Sequence, residues 1–267
     1  MSADTTISFR SAFGWTGRRA IRLFTYPVDL FLFIFHALRD WAGSGRVHHT
    51  NDHAALRQVL RAGADPLPAI LLLGFVVGFT FALPLIMFSP QLAETELAPL
   101  LMQLIGLELG SLLTAVVLIG RTGRAMAVEL ANMKLHGEVR GLERLGIDMN
   151  HFFVAPRLIA TGTAQLVLAT YFTAAALFCG MLLASLLYRG EASGLAVEIL
   201  AAVETDELLI FIAKNLLFGL VIAGAACYSA LQVEIAPTEV PERARQAATN
   251  SLLLIFFING TLALLAT

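Results

Sequence analysis

Little of this chain is charged. Asp, Glu, Lys and Arg together make up 14% of its 267 residues, and 57% are hydrophobic. A soluble domain carries about a quarter charged residues. That shortage, with a mean hydropathy of +0.75, excludes an ordinary soluble domain and points to an integral membrane protein. The net charge of −2 says less, because the charges are unevenly distributed. Cysteine is also scarce. Cys179 and Cys227 both lie in apolar runs, where they read as small buried hydrophobes rather than a disulfide or metal pair. A cleavable leader is not visible. Residues 1–22 are polar, and the first long apolar run, Val28 to Phe35, has no small-residue cleavage site after it. Insertion would rely on internal helices, leaving the N-terminus in the cytoplasm.

Catalytic signatures are missing too. There is no Gly-x-x-x-x-Gly-Lys-Ser/Thr to cradle a nucleotide, no His-Glu-x-x-His and no Gly-x-Ser-x-Gly. His136-Gly137-Glu138 resembles part of a deaminase zinc motif but lacks the Pro-Cys-x-x-Cys partner. His49 and His53 have a metal-compatible i, i+4 spacing, yet no third ligand type lies near them, so they read as a solvated basic link. The expectation is a chain with no catalytic residue, metal or cofactor of its own, and no nucleic-acid partner. No internal repeat is visible either, which argues against a stand-alone ion-coupled carrier built from two related halves.

What is present is a series of membrane-length apolar runs. Residues 1–14 read as an arm. From about Trp15 to Trp41 the pattern is amphipathic: Arg18, Arg22, Thr25, Asp29, His36 and Asp40 share one helical stripe, with Phe24, Phe31, Phe35 and Leu38 elsewhere. The apolar part is too short to span, so an interfacial helix is expected. Five spans follow: Pro66–Phe88, Leu100 to about Met126, Phe152 to about Tyr188, Leu208 to about Leu231, and Ala247–Leu265. Pro84 predicts a kink or break in the first, and Gly74 and Gly78 give it a close-packing face. The third is longer than a bilayer requires. Residues 189–207 are acidic and read as a short surface helix, and 232–246 as a polar loop holding Pro237 and Pro241. The predicted fold class is therefore an all-α integral membrane protein, an N-terminal interfacial amphipathic helix followed by five transmembrane helices. Residues 1–62 form the arm and interfacial helix. Residues 63–267 form the five-span domain, with a charged hairpin at 128–150.

Basic residues set the orientation. Arg10, Arg18, Arg19, Arg22, Arg39, Arg46, Arg57 and Arg61 precede the first span and share a side with Arg121, Arg124, Lys134, Arg140, Arg144 and Arg157. Arg243 and Arg245 fall there as well, and only Arg189 and Lys214 fall opposite. The positive-inside rule then places the N-terminus, the hairpin and the 232–246 loop in the cytoplasm, with the C-terminus outside.

Glu108 is the most informative single residue, because a carboxylate inside a span is expensive. It sits in Gly106-x-Glu108-x-Gly110, where a ligand or another backbone could approach closely. It either lines a substrate path or ties helices together by hydrogen bonds. Arg121 and Arg124 either snorkel to the phosphate layer or pair with Glu129 or Glu138 to pin the hairpin. Glu138, Arg140, Glu143 and Arg144 are spaced for pairs along a short helix, and Met133, Leu135, Leu142 and Leu145 could supply an apolar docking contact.

One ordered series of motifs runs through this region: Glu108-Leu109-Gly110, Gly120-Arg121-Thr122-Gly123, Glu129-Leu130-Ala131-Asn132-Met133, Glu138, Leu142-Glu143, Gly146-Ile147-Asp148 and Pro156-Arg157. In this it resembles the MlaE (YrbE-like) permease family, the membrane subunits of bacterial ABC lipid transporters that work with MCE-domain proteins. The similarity continues through Asp206, Lys214, Phe218-Gly219, Cys227-Tyr228 and Asn259, and covers about residues 55 to 265. There are departures. Leu107 and Ser111 stand where the family often has Arg and Pro, and Pro237-Thr238-Glu239-Val240-Pro241 replaces a Gly-rich loop.

The resemblance implies a permease homodimer in the bacterial inner membrane. It implies a cytoplasmic ATPase dimer, which holds the ATP and Mg, docked on the hairpin. It further implies a periplasmic MCE hexamer, a small cytoplasmic accessory protein, and a phospholipid or related cargo. On that basis Glu108, Gly106, Gly110 and Ser111 are expected near the substrate cavity. Glu129, Met133, Glu138, Leu142 and Glu143 are expected to couple to the ATPase, with Arg121, Arg124, Arg157 and Lys214 in structural or charge roles.

Overall fold

The computed structural model of the chain describes residues 25–41, 62–88, 102–146, 149–188, 205–233 and 236–266. The expected arm, the His49/His53 link, the stretch 89–101 and most of the acidic 189–207 segment lie outside these residues. Among the described residues there are helices and turns but no strand. We number the helices α1 (25–41), α2 (Leu67–Phe88), α3 (102–135), α4 (Glu138–Arg144), α5 (150–188), α6 (Thr205–Ala230) and α7 (Glu239–Ala266). Among the described residues five segments are long and apolar enough to cross a membrane: Ala62–Leu83, Gln103–Leu135, Phe152–Leu183, Thr205–Ala230 and Glu239–Leu264. This agrees with the span count read from hydropathy, and the chain is an all-α integral membrane protein.

Small residues decide how closely these helices approach. A Cβ added to Gly78 would lie 2.2 Å from the carbonyl oxygen of Ala176, and one added to Gly74 would lie 2.8 Å from that of Phe172. The Gly-x-x-x-Gly face of α2 therefore meets the backbone of α5, as its spacing predicts. Gly219 of α6 abuts Gly162 and Thr161 of α5 in the same way, with its virtual Cβ 2.5 Å from the Thr161 carbonyl oxygen. α3 runs through the middle of the bundle against α5, α6 and α7. The outward faces are apolar: Leu72, Phe75, Val76 and Phe79 on α2, and Leu253, Phe256 and Phe257 on α7, are exposed. With hydrocarbon as the solvent, such faces need no polar cover.

α1 has three faces. Leu30 and Ala37 are buried, Val28, Phe31, Leu32 and Phe35 are exposed, and Asp29, His36 and Asp40 form the polar stripe read from the sequence. Tyr26 and Phe33 are seven residues apart, yet both rings lie within 6 Å of the Tyr228 ring, at 5.5 and 5.7 Å. α1 therefore packs across α6 around Tyr228. Leu30 and Ile34 fill the space left by Gly224 at the crossing.

α2 ends where expected, and two other boundaries differ from expectation. α2 continues through Pro84 to Phe88 without a break. α3 does not stop near Met126 but runs to Leu135, so its 34 residues extend about 50 Å, well beyond a hydrocarbon core of roughly 30 Å. Its last turns are held by an apolar stripe, Met126, Ala127, Leu130 and Ala131, buried against α6 and α7. α7 starts at Glu239, so half of the expected 232–246 loop is helical. Pro241 falls in the first turn, where its missing N–H costs nothing, and Val240, Ala244, Ala247 and Ser251 form the buried stripe.

Candidate functional site

Polar side chains gather at two places, one inside the bundle and one at the hairpin end. The first begins with Glu108. It lies in a wide, π-helical stretch of α3, Met102–Leu109, a feature frequent at functional sites. Its Oε1 is 2.8 Å from Nζ of Lys214 on α6. Its Oε2 accepts a hydrogen bond from Nδ2 of Asn259 on α7 at 3.1 Å. One carboxylate thus joins three helices, so the tie between helices considered from sequence is present. The two charged partners differ in access. Lys214 is buried, with 3% of its side chain exposed, whereas Glu108 is 38% exposed. All three residues lie in the half of the bundle farther from the hairpin.

Behind the ion pair is an uncharged network. Asn215 Nδ2 donates to Ser111 Oγ at 3.0 Å and to the Phe211 carbonyl at 2.9 Å. Gln165 Nε2 donates to the Ser111 carbonyl and to Asn215 Oδ1, each at 3.1 Å. Ser111 Oγ donates to the Leu107 carbonyl, and Thr173 Oγ1 donates to the Gly106 carbonyl at 2.9 Å. Ser111, Gln165, Thr173 and Asn215 are all buried. Gly110 packs against Phe172 and Thr173, with a virtual Cβ 3.1 Å from each. Gly106 and Gly110 therefore lie against α5, Ser111 joins α5 and α6, and Glu108 faces α6 and α7. Gln165 and Asn215 carry no charge to mark them within their apolar runs, and sequence reasoning missed them.

At the hairpin end, α3 stops at a glycine. Gly137 has φ +77 and Gly146 has φ +75, and they bracket α4. His136 and Gly137 donate their backbone N–H to the Asn132 and Lys134 carbonyls, closing α3 with a left-handed residue that glycine adopts without strain. α4 buries Val139 and half-buries Leu142, while Glu138, Glu143 and Leu145 are exposed. Glu138, Arg140, Glu143 and Arg144 do not pair with one another among the described residues, contrary to the spacing argument. The helix is only 7 residues long, and its charged side chains point outward. Met133 is half-buried on α3, against an apolar cluster that includes Leu130 of α3, Cys227 of α6, Ala244 of α7 and Leu158 of α5.

Of the two readings of Arg121 and Arg124, pairing with Glu129 or Glu138 is not seen among the described residues. Arg121 donates to the Asp65 carbonyl at 2.8 Å, and Arg124 is exposed. Glu129 pairs instead with Arg157 of α5, Nη2 to Oε1 at 3.2 Å. Arg157 also lies over the Phe153 ring, 5.8 Å from its centroid. Lys134 donates to the Leu231 carbonyl at the end of α6. Among the described residues no group of three or more His, Cys, Asp or Glu side chains could hold a metal.

Comparison with known proteins agrees with this architecture. A probable ABC transporter permease protein of Synechocystis sp. is 28% identical over 216 residues, 80% of this chain and 81% of that protein. A probable ABC transporter permease protein of Rickettsia typhi is 26% identical over 205 residues, 76% and 79% of the two chains. The intermembrane phospholipid transport system permease protein MlaE of Haemophilus influenzae is 33% identical over 131 residues, 48% of this chain and 49% of that protein. The family described as Permease MlaE matches residues 55–265, and the chain belongs to that family of ABC transporter permeases.

Proposed function

We propose that this permease moves phospholipid, or a closely related lipid, between the bacterial inner membrane and a conduit of MCE-domain protein in the envelope. The observation that carries the mechanism is the continuity of α3. One helix holds Glu108 near one end and leads directly into the α4 elbow at the other. A force applied at the elbow therefore reaches the polar site along a single element. The relative named for phospholipid transport supports the choice of cargo.

In this reading the functional unit is a homodimer with a lipid cavity between its two copies. Its N-terminus and elbow are cytoplasmic and its C-terminus periplasmic. Residues 1–62 supply the arm and interfacial helix, and residues 63–267 supply the permease domain. ATP and Mg bind in a separate cytoplasmic ATPase dimer. That dimer docks on the 128–150 elbow through Glu129, Met133, Glu138, Leu142 and Glu143. A periplasmic MCE hexamer receives or delivers the lipid, and a small cytoplasmic protein accompanies the ATPase. Glu108 stands at the edge of the cavity, and Gly106, Gly110 and Ser111 form the wall behind it.

The test uses the assembled transporter in nanodiscs. Glu138→Lys with Leu142→Asp should release the ATPase or abolish its stimulation by lipid. An ATPase still bound and still stimulated would overturn the docking assignment. Hydrolysis of nucleotide by the isolated permease would overturn the division of labour.

A further inference from the structure

The ion pair inside the bundle presents one polarity outward. Lys214 is 3% exposed, so its ammonium is spent within the protein. A carboxylate has about four lone-pair sites. Glu108 commits one oxygen to Lys214 and the other to Asn259 Nδ2, which leaves acceptor capacity on a side chain that is 38% exposed. Asn259 turns its amide nitrogen toward Glu108, and its own Oδ1 is buried without a donor among the described residues. The unsatisfied groups at this spot are therefore acceptors. The group most exposed here is the Glu108 carboxylate, and a bare phosphate, itself only an acceptor, meets its oxygens unfavourably.

We propose that Glu108, held in place by Lys214 and Asn259, selects lipids whose headgroups carry hydrogen-bond donors, as a primary ammonium does, over headgroups of equal charge that lack them. The proposal rests on the lipid-transport reading above and adds a headgroup preference to it. The donor fills the free lone pairs of Glu108. The lipid phosphate then lies away from Glu108 and makes no contact with Lys214. A methylated ammonium has the same charge but no N–H, so it leaves the acceptors of Glu108 unsatisfied. The unmet hydrogen bond corresponds to a discrimination on the order of ten-fold.

The experiment reconstitutes the assembled transporter in nanodiscs containing equal amounts of phosphatidylethanolamine and phosphatidylcholine. The lipids retained after detergent extraction are quantified by mass spectrometry. Both lipids are zwitterionic and differ in the N–H donors of the headgroup. The wild type should retain phosphatidylethanolamine about ten-fold over its share. Glu108→Gln should reduce that ratio, because an amide offers one acceptor oxygen in place of two. Glu108→Leu/Lys214→Met, which leaves no charge stranded, should bring the ratio to one while size-exclusion shows an intact assembly. A variant that merely loosened the fold would lower total lipid and leave the ratio unchanged. Equal retention of the two lipids by the wild type would overturn the headgroup assignment and leave lipid transport standing. Retention of neither would overturn both.

Discussion

Arg157 is buried, with 2% of its side chain exposed, and its Nη2 lies 3.2 Å from Oε1 of Glu129, which is 63% exposed. Its Nε and Nη1 are buried and have no hydrogen-bond partner among the described residues. The pair ties the extended end of α3 to the start of α5, on either side of the α4 elbow. Its two ends are not equivalent. Removing Glu129 strands a buried guanidinium, whereas removing Arg157 leaves a carboxylate that water can reach. Glu129→Ala should therefore lower stability by about 2–3 kcal/mol, somewhat below the usual cost of breaking a buried pair because one end is solvated. Arg157→Met, which removes the charge and fills the space, should cost less. Adding Glu129→Ala to Arg157→Met should cost little more. Thermal unfolding in detergent measures all three, and the order of the two single variants decides the argument.

How this pair escaped sequence reading has a geometric answer. Arg121 precedes Glu129 by eight residues on one helix, a rise of about 12 Å, and Arg124 lies on a different face. Neither can reach the carboxylate. The cation that does comes from α5, and only tertiary packing brings it there. The five spans were legible because hydropathy alone specifies them, and the Gly74/Gly78 contact was legible because small residues four apart have few other uses in a membrane helix. The start of α7 was misread as loop because Pro237 and Pro241 mark breaks in a helix interior but are tolerated in a first turn. Gln165 and Asn215 left no signal, since an amide within an apolar run is conspicuous only once its partners are known.

The close crossings predict a contrast between glycines. Gly78→Ala places a methyl 2.2 Å from a backbone oxygen of α5, and backbone cannot yield as a side chain can. Overpacking of this kind costs about 1–3 kcal/mol or separates the helices. Gly120 lies on the same bundle with nothing within 4 Å of its virtual Cβ. Gly120→Ala should be neutral or stabilising by up to about 1 kcal/mol, because alanine favours the helix. Comparing melting temperatures of the two variants tests whether proximity, and not glycine content, sets the requirement.

The elbow gives a separable prediction. Gly137 holds φ +77 with open space around it, so Gly137→Ala strains the turn by about 1–2 kcal/mol without a clash. α4 should change its angle to α3 while the spans remain packed. In the assembled transporter, lipid-stimulated ATP hydrolysis should fall and the melting temperature of the bundle should hold. A parallel loss of both would mean that the turn supports the bundle and not the docking surface.

Orientation can be tested with single cysteines, because the native ones are silent. Cys179 and Cys227 are free and buried, so a membrane-impermeant maleimide should not reach them in intact cells. Leu145, beside Gly146 at the end of α4, is 76% exposed, and Leu264 near the end of α7 is 79% exposed. In the proposed orientation Leu145 is cytoplasmic, and the three crossings between it and Leu264 put Leu264 on the opposite face. Leu264→Cys should be labelled from outside in intact cells, and Leu145→Cys only after the membrane is opened. The reverse pattern would put the elbow out of reach of any cytoplasmic ATPase, and the force path along α3 would then have no motor to drive it.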